Sequence, residues 1–422
     1  MQLPQEFITD TSALFGPQRW QCFLQALEEE PAISIRFNPW KYGGEQVFSQ
    51  VTPIPWCKGG YWLEERPRFT LDPLFHAGVY YVQEAGSLFL DAILRQYVAA
   101  PVLALDLCAA PGGKSTLMRA ALPGNSMLVS NEPDRRRANI LLENMLKQGH
   151  PDVLVTHNYA RDFAKTNWTF DVILTDVPCS GEGMFRRDER AVKEWSLQNV
   201  YSCQKRQRQI LQDIWPCLRE GGLLIYSTCT FNVHENEENV RFITEQLGAD
   251  VLPVDIEPQW HITGSLLKGW TEPVYRFIPG ITRSEGLFMA VLRKKGTPSA
   301  HTFLPGSARR YAKTHLLIHL LSDGLAAPEQ KGKEQIPSAA QALSVEGATT
   351  DKYPRVELSL EQARKYLHRE SFALPSGTPK GFVIVTYAGY ALGFMKNLGD
   401  RANNLYPKNW AIRSLTDTSL FT

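Results

Sequence analysis

The sequence lacks any long hydrophobic run, and this excludes membrane-spanning proteins of the helical kind. None of its apolar segments approaches the roughly 20 residues that a transmembrane helix needs. Residues 1–6 contain neither a basic segment nor an apolar stretch, so no signal peptide is recognisable. We therefore expect a cytoplasmic protein without a membrane partner.

Cysteine is scarce, and its spacing excludes two further classes. The 422 residues include seven cysteines, an odd number. They form no C-x-x-C pair and have no histidines at zinc spacing. This pattern favours reduced thiols in a cytosol, and it argues against both a disulfide framework and a metal site.

A large excess of positive charge is also missing. The 45 basic residues are balanced by 44 acidic ones, which gives a net charge of +1. Nucleic-acid-binding proteins often have a larger excess, but a local basic patch can be balanced elsewhere on the chain. The clusters at 186–190 and 205–208 are by default solvated helix faces. Charge alone does not decide the function.

The composition suffices for ordinary globular cores, with 43% hydrophobic and 11% aromatic residues. Differences in residue composition and patterning divide the chain into zones, and no internal repeat is present. We predict an N-terminal α+β domain over 1–97, a central domain over 98–295, a connecting segment with a linker over 296–352, and a C-terminal domain over 353–422. Within the third of these zones, residues 324–352 are rich in Ala, Gln, Lys, Gly and Ser, which is typical of a loop.

Short apolar runs alternate with helical patterns in the central zone. Strands are predicted near 102–105, 127–130, 153–155, 171–175 and 223–226. A long amphipathic helix is predicted over about 196–219, with Gly221 and Gly222 as its stop signal. Apolar strands that are each followed by a helix indicate a parallel sheet covered on both faces, which is a doubly wound, Rossmann-like α/β fold.

The C-terminal zone has a β-rich pattern. Ser359 and Gln362 have the spacing of a capping box that opens a short helix. The runs 382–387 and 390–394, joined by Ala388 and Gly389, predict a β-hairpin. Basic residues follow, beginning with Lys396. We therefore predict a small β-rich accessory domain.

A glycine-rich loop follows the first strand of the central zone, where ligands bind in a doubly wound sheet. It begins at Asp106 and continues as Cys108, Ala109, Ala110, Pro111, Gly112, Gly113 and Lys114. A nucleoside triphosphate would need the pattern G-x-x-x-x-G-K-[ST]. Here Cys108 stands where the first glycine belongs. The G-x-G-x-x-G spacing of a dinucleotide site is also absent.

S-adenosylmethionine fits the loop better, because it carries no phosphate and needs no anion cradle. Glu132 closes the second strand, where an acid for the ribose hydroxyls belongs. Asp106 is placed to reach the amino-acid end of this cofactor, directly or through water. An isolated strand-end acid is often only a helix cap, but two such acids together favour the methyl donor.

Two cysteines follow neighbouring strands at the same edge of the predicted sheet. Cys179 lies in the loop that begins at Asp176, and Cys229 follows the strand near 223–226. A lone cysteine is usually a small buried hydrophobe. Two thiols beside a cofactor loop suggest chemistry instead, because a thiolate that adds to carbon 6 of cytosine makes carbon 5 nucleophilic. Asp176 is placed to hydrogen-bond the cytosine N3 and amino edge.

These segments resemble the Nop/Sun family of RNA cytosine-5 methyltransferases. The similarity rests on 108–114, on Asp176-Val-Pro-Cys179-Ser-Gly and on Ser227-Thr-Cys229-Thr, and it extends from Arg36-Phe-Asn-Pro and Tyr81-Val-Gln-Glu84 to Gly286-Leu-Phe-Met-Ala290. Lys396-Asn-Leu-Gly399 and Asn404-Leu-Tyr-Pro407 are similar to the tail of the bacterial small-subunit ribosomal RNA methyltransferase F branch. That tail is similar to PUA-type RNA-binding domains. The resemblance also implies that the N-terminal domain over 1–97 binds substrate RNA.

The resemblance implies specific roles. Cys229 matches the family's nucleophile, and Cys179 matches the cysteine that aids release of the methylated base. Residues 108–114, Glu132 and Asp176 match its contacts with S-adenosylmethionine. The family usually has an aspartate after the third strand, on the adenine side. This sequence has Asn158 there, followed by Tyr159, and Asn158 is the candidate replacement.

The expected partner is RNA, with small-subunit ribosomal RNA favoured over transfer RNA by the tail alone. Cytosine chemistry requires an unpaired or flipped base. Arg186, Arg187 and Lys396 are candidate contacts with the RNA backbone, and we expect a monomer. Two other classes stay open at this point, a P-loop NTPase suggested by Gly113-Lys114-Ser115, and a non-catalytic ribosome-assembly factor that kept the fold.

Overall fold

The N-terminal part of the protein pairs two helices with a small antiparallel sheet. A computed structural model describes residues 2–298, 305–332 and 334–413. The first elements are α1 (Gln5–Phe15), α2 (Pro17–Glu28), β1 (Ile33–Phe37), β2 (Val51–Pro53), β3 (Gly60–Leu63), α3 (Pro73–His76), β4 (Tyr80–Val82) and α4 (Leu90–Tyr97). The strand order in this sheet is β2-β3-β1-β4.

The central part is a nine-stranded sheet. Its elements are β5 (Leu103–Asp106), α5 (Gly113–Ala121), β6 (Met127–Asn131), α6 (Arg135–Gln148), β7 (Val153–Thr156), α7 (Ala160–Ala164), β8 (Phe170–Asp176), α8 (Glu189–Glu194), α9 (Leu197–Ile214), β9 (Leu218–Thr228), α10 (Glu237–Phe242), β10 (Ala249–Leu252), β11 (Tyr275–Phe277) and β12 (Leu287–Lys294). Each of the five predicted strands is present within a few residues of its expected position.

The remaining elements are shorter. They are α11 (Pro305–Thr314), β13 (Leu320–Ser322), β14 (Glu329–Lys331), β15 (Glu334–Ile336), α12 (Ala339–Leu343), α13 (Val345–Thr349), β16 (Arg355–Glu357), α14 (Leu360–Leu367), β17 (Gly381–Tyr387), β18 (Tyr390–Asn397) and β19 (Ala402–Asn404). The sheet β16-β17-β18-β19 contains the predicted hairpin, and the predicted capping box of Ser359 and Gln362 opens α14. The β-rich C-terminal part is therefore confirmed.

The order of the large sheet is β10-β12-β9-β8-β5-β6-β7-β13, and its ninth strand, β11, pairs with β12. Strands β5 to β9 are mutually parallel, whereas β10, β12 and β13 are antiparallel to their neighbours. The chain leaves β5 in one direction for β6 and β7, and then returns to the other side of β5 for β8 and β9. The order therefore reverses between β5 and β8, which is where a doubly wound sheet binds ligands.

Both faces of this sheet are covered. Alternate residues of one strand, Ala104 and Leu105, belong to two different hydrophobic clusters. The first cluster includes Leu117 of α5, and the second includes Leu211 of α9. Burial on both faces explains why the strands are nearly continuous apolar runs. Among the described residues, no helix is both long and apolar enough to cross a bilayer.

Two details of the predicted secondary structure were wrong. Helix α9 ends at Ile214 rather than near 219, because Pro216 lacks the N–H that a helix needs, and β9 already begins at Leu218. The stretch 324–352 is not a plain linker, since it contains β14, β15, α12 and α13. Leu343 of α12 is buried in a core that also contains Phe37 of β1 and Val383 of β17.

Candidate active site

The loop after β5 lies at the point where strand order reverses. Asp106 ends β5 and is fully buried, and its Oδ2 accepts a hydrogen bond from Ser115 Oγ at 2.6 Å. Its other oxygen, Oδ1, has no hydrogen-bond partner within the described chain. Burial raises the pKa of Asp106 to about 7. Gly112 has a φ of +119°, a conformation that favours glycine before helix α5 begins at Gly113.

The next strand brings an acid to the same loop. Glu132 follows β6, is 1% exposed, and accepts hydrogen bonds from the backbone N–H of Ala110 at 3.3 Å and of Asp134 at 3.0 Å. Arg137 of α6 lies 3.6 Å from Glu132 and donates to Ala110 O at 2.9 Å. Glu132 is thus held beside the predicted cofactor loop.

These features fit S-adenosylmethionine. The unpaired Asp106 Oδ1 offers an acceptor to an ammonium group, and Glu132 supplies a carboxylate at the adjacent strand end. In the loop 107–112, Gly112 has no side chain that could keep a ligand away from the backbone. Cys108 is partly exposed in this loop, while Ala109 and Ala110 are buried and Pro111 is exposed. The individual contacts of these residues stay predictions.

An ion pair joins the cofactor loop to the loop after β8. Lys114 Nζ lies 2.9 Å from Asp176 Oδ2, and the side chains are 15% and 30% exposed. Burial acts to lower the pKa of Lys114, but the Asp176 carboxylate and further negative groups around it together raise the pKa. Cys229 also adds to this rise. The ammonium therefore stays charged beside the thiols.

The two predicted cysteines meet. Their sulfur atoms lie 3.1 Å apart, and the backbone N–H of Cys229 points to the sulfur of Cys179 at 3.4 Å. Both residues are partly exposed. The hydrogen bond with Cys229, burial and the negative charge of Glu235 raise the pKa of Cys179. The two thiols therefore form one coupled pair at the carboxyl ends of β8 and β9.

Two buried carboxylates connect these cysteine loops, and the sequence-based reasoning missed both. Glu182 accepts hydrogen bonds from the backbone N–H groups of Phe231 and Asn232 at 2.6 and 3.0 Å. Glu235 accepts from the backbone N–H of Ser180 at 3.0 Å. An available signal was the presence of acids within both cysteine loops, at Gly181-Glu-Gly183 and Asn232-Val-His-Glu235.

Asn158 follows β7, near the position expected on the adenine side. Its Nδ2 donates to Leu317 O at 2.7 Å, and its Oδ1 accepts from the backbone N–H of His319 at 3.1 Å. Both polar groups therefore hold the segment that leads into β13. A contact with the cofactor stays a prediction, and this arrangement does not favour it.

The candidate RNA contacts differ in their surroundings. The Arg186 side chain is only 9% exposed, and its Nη2 lies 2.6 Å from Glu285 Oε1. The structure therefore gives Arg186 a buried ion pair in place of the exposed contact that the sequence suggested. Arg187 is exposed. Lys396 pairs with Glu334 at 2.6 Å and lies over the Phe382 ring, so it is only partly available.

Three family models match this chain. The family model described as 16S rRNA methyltransferase RsmB/F matches residues 100–293. The N-terminal domain of 16S rRNA methyltransferase RsmF matches residues 3–85, and the methyltransferase RsmF PUA domain matches residues 353–412.

Curated relatives match nearly the whole chain. Ribosomal RNA small subunit methyltransferase F of Aliivibrio fischeri is 31% identical, with 92% of each chain covered. The protein of the same name from a Shewanella species is 30% identical, with 97% of each chain covered.

Solved structures share the fold. NSun6 from Pyrococcus horikoshii with SFG matches with a TM-score of 0.59 and 20% identity, covering 70% of this chain and 99% of that one. A methyltransferase homolog protein from the same organism matches with a TM-score of 0.57 and 24% identity, covering 69% of this chain and 100% of that one. The family-model matches and the curated relatives show that the chain belongs to the RsmB/F family of 16S rRNA methyltransferases, whose cofactor is S-adenosylmethionine.

Proposed function

We propose that this protein transfers a methyl group from S-adenosylmethionine to carbon 5 of a cytosine in small-subunit ribosomal RNA, through a covalent bond to Cys229. The observation that carries the proposal is the 3.1 Å contact between the sulfur atoms of Cys179 and Cys229. The pair lies at the sheet edge next to the Lys114–Asp176 ion pair. Thiols in such a position favour nucleophilic catalysis over simple packing.

The enzyme has to supply a nucleophile, because carbon 5 of cytosine is by itself too weak a nucleophile to take the methyl group. When the Cys229 thiolate adds to carbon 6, a sulfur–carbon bond forms and the displaced electron pair makes carbon 5 nucleophilic. The bound cofactor supplies a methyl group on a positively charged sulfur. After transfer, carbon 5 loses its proton to a base and the carbon 6–sulfur electrons return to Cys229. The cofactor's sulfur keeps the electron pair of the broken sulfur–methyl bond, so the products are 5-methylcytosine, S-adenosylhomocysteine and the free enzyme.

The surroundings of the two thiols support different roles. Cys229 is the proposed nucleophile, and Cys179, the sulfur in contact with it, is the proposed aid to release of the product. The raised pKa of Cys179 favours its protonated form, which is a proton donor rather than a nucleophile. Asp176 is the proposed contact for the cytosine N3 and amino edge, and Lys114 holds its carboxylate in place.

The proposed substrate is RNA of the small ribosomal subunit. Support comes from the curated relatives, which are named ribosomal RNA small subunit methyltransferase F, and from the match to the RsmF PUA domain. Transfer RNA is the alternative target. A P-loop NTPase is disfavoured by family membership, and a non-catalytic assembly factor is disfavoured by the presence of both thiols together with Asp176.

The test measures tritium transfer from labelled S-adenosylmethionine to small-subunit ribosomal RNA and to transfer RNA, both isolated from cells without the gene. We expect incorporation into the ribosomal RNA, and bisulfite sequencing of RNA from cells with and without the gene should locate the cytosine. Cys229→Ser should abolish transfer. Cys22→Ser is the matched control, because Cys22 is an exposed thiol on helix α2. Transfer at the wild-type rate by Cys229→Ser would contradict the proposal.

A further inference from the structure

The loops that carry the two thiols are fastened to each other by a cluster of buried acids and amides. Asn232 lies between the acids, because its Nδ2 donates to Glu182 Oε1 at 2.9 Å and to Glu235 Oε1 at 2.9 Å. Glu235 Oε2 accepts from the backbone N–H of Ser180, the neighbour of Cys179, and from Gln207 Nε2 at 2.7 Å. Ser180 Oγ in turn contacts Thr230 Oγ1, beside Cys229, at 3.0 Å.

The two acids are unusual because neutral donors alone satisfy them. Glu182 and Glu235 are 2% and 0% exposed, and neither has an ion pair with a basic side chain in the described parts of the chain. An unpaired buried carboxylate is costly unless hydrogen bonds replace its hydration. Packing alone would be served better by neutral residues. The retained charge next to a reactive thiol therefore calls for a functional explanation.

We propose that Glu235, together with Glu182 and Asn232, is a positioning group of the active site that holds the Cys179 loop against the Cys229 loop. The negative charge of Glu235 keeps Cys179 as the thiol while Cys229 becomes the thiolate. Glu235 itself touches neither RNA nor cofactor, since it is fully buried. The inference rests on the proposed function for its catalytic meaning. The clamp itself does not depend on the identity of the substrate.

The charge argument follows from the neighbours of Glu235. Burial and the charge of Glu182 raise the pKa of Glu235 to about 7, against the opposing effect of its hydrogen bonds. Above that pH, Glu235 is a carboxylate close to Cys179, and its negative charge disfavours a second negative charge on that sulfur. The other titratable groups that face Glu235 or the thiols are Glu182, Cys203, Tyr226, Lys114 and Asp176.

The experiment measures alkylation of the full-length protein by iodoacetamide as a function of pH, with Cys229 and Cys179 peptides followed separately by mass spectrometry. In the wild-type protein we expect Cys229 to react first. Glu235→Gln keeps the size of the side chain but removes its charge. The midpoint, which is the pH at which the rate of thiol alkylation is half its maximum, should then fall by on the order of 1 pH unit, because a nearby negative charge no longer opposes the thiolate. The preference for Cys229 over Cys179 should weaken.

A second Glu235 variant separates the effect of the charge from the effect of the side-chain length, and a variant of Glu238 serves as the control. Glu235→Asp keeps the charge but shortens the side chain, so the midpoint should stay while kcat for methyl transfer falls. In both Glu235 variants the KM values for RNA and for S-adenosylmethionine should be unchanged. Glu238→Gln is the matched control, because Glu238 lies three residues further along the chain and pairs with His234 and Gln204 instead. It should leave the midpoint, the preference and kcat at the wild-type values.

A folded Glu235→Gln protein with the wild-type midpoint and the wild-type preference would overturn the proposal. If that variant does not fold, Gln207→Met decides, since it removes one donor to Glu235, favours the protonated acid, and should lower the midpoint by a smaller amount. Alkylation needs neither RNA nor cofactor. A failure of cytosine-5 methylation in the transfer assay would therefore leave this result standing, and the two failures are distinguishable.

Discussion

Lys114 Nζ lies 2.9 Å from Asp176 Oδ2, and this contact links the first turn of α5 to the end of β8 across 62 positions of sequence. It connects the loop expected to hold the cofactor with the loop that carries Cys179. The negative charge of Cys229 also acts on this ammonium and contributes to the raised pKa of Lys114. A fixed positive charge at this place stabilises negative charge that develops on sulfur or on the base.

Lys114→Met should lower the rate of methyl transfer by roughly 10²- to 10³-fold, the usual effect of removing one preorganised donor. The fold should persist, because Asp176 is 30% exposed and can be hydrated once its partner is lost. Initial rates of tritium transfer check this expectation. Lys165→Met is the control, since Lys165 is 61% exposed and pairs only loosely with Asp162 at 3.9 Å. Equal rates for the two variants would remove Lys114 from the mechanism.

Cys179→Ala should trap the protein on its RNA. If Cys179 aids the departure of the methylated base, its removal leaves the bond to Cys229 in place after methyl transfer. A protein–RNA species that survives denaturation should then accumulate on a gel, in the presence of S-adenosylmethionine. The double variant with Cys229→Ser should form none. RNA binding by Cys179→Ala without any such species would count against the role in release.

Arg186→Met should destabilise the protein without weakening its binding to RNA. Buried Glu285 would lose its partner at 2.6 Å and keep only the longer contact with Arg187 at 3.8 Å, and breaking a buried pair costs up to about 3–5 kcal/mol. Urea denaturation measures the loss, and filter binding at a temperature where the variant is folded measures the affinity. Arg187→Met is the comparison, because this arginine is more exposed and contacts Glu285 only at 3.8 Å, so its loss should affect affinity more than stability. A stable Arg186→Met with weak RNA binding would restore the surface role inferred from sequence.

The contrast between Cys229 and Arg186 shows what the sequence could predict. Strand ends follow from local patterns, because apolar runs such as 103–106 stop at a polar residue, and parallel strands bring their ends to one edge. The meeting of Cys179 and Cys229 was therefore predictable. The burial of Arg186 depends on Glu285, 99 positions away, and the bonds of Glu182 and Glu235 reach across 49 to 55 positions. No local pattern encodes such pairings.

Stability should fall on mild acidification because of His76, which lies between the N-terminal sheet and the C-terminal part. Its Nε2–H donates to Thr70 O at 2.9 Å, and Tyr406 donates its hydroxyl to Nδ1 at 3.4 Å. Burial, reinforced by the charge of Lys147, lowers the pKa of His76 to about 3. The unfolded chain, with a histidine pKa of about 6.5, binds a proton more readily. Stability is therefore present above about pH 6.5 and is lost as the pH falls toward 3.

Urea denaturation should show this loss as about 1 kcal/mol between pH 7 and pH 5.5, on the scale of 1.4 kcal/mol for each unit of pKa difference. His76→Phe removes the titrating group and fills a similar volume. It should be less stable at pH 7, because the Thr70 carbonyl and the Tyr406 hydroxyl lose their partner. Its stability should nevertheless change less with pH than that of the wild-type protein. The difference between the two proteins isolates His76 from the buried acids, whose raised pKa values act in the opposite direction, so parallel pH profiles would refute this assignment.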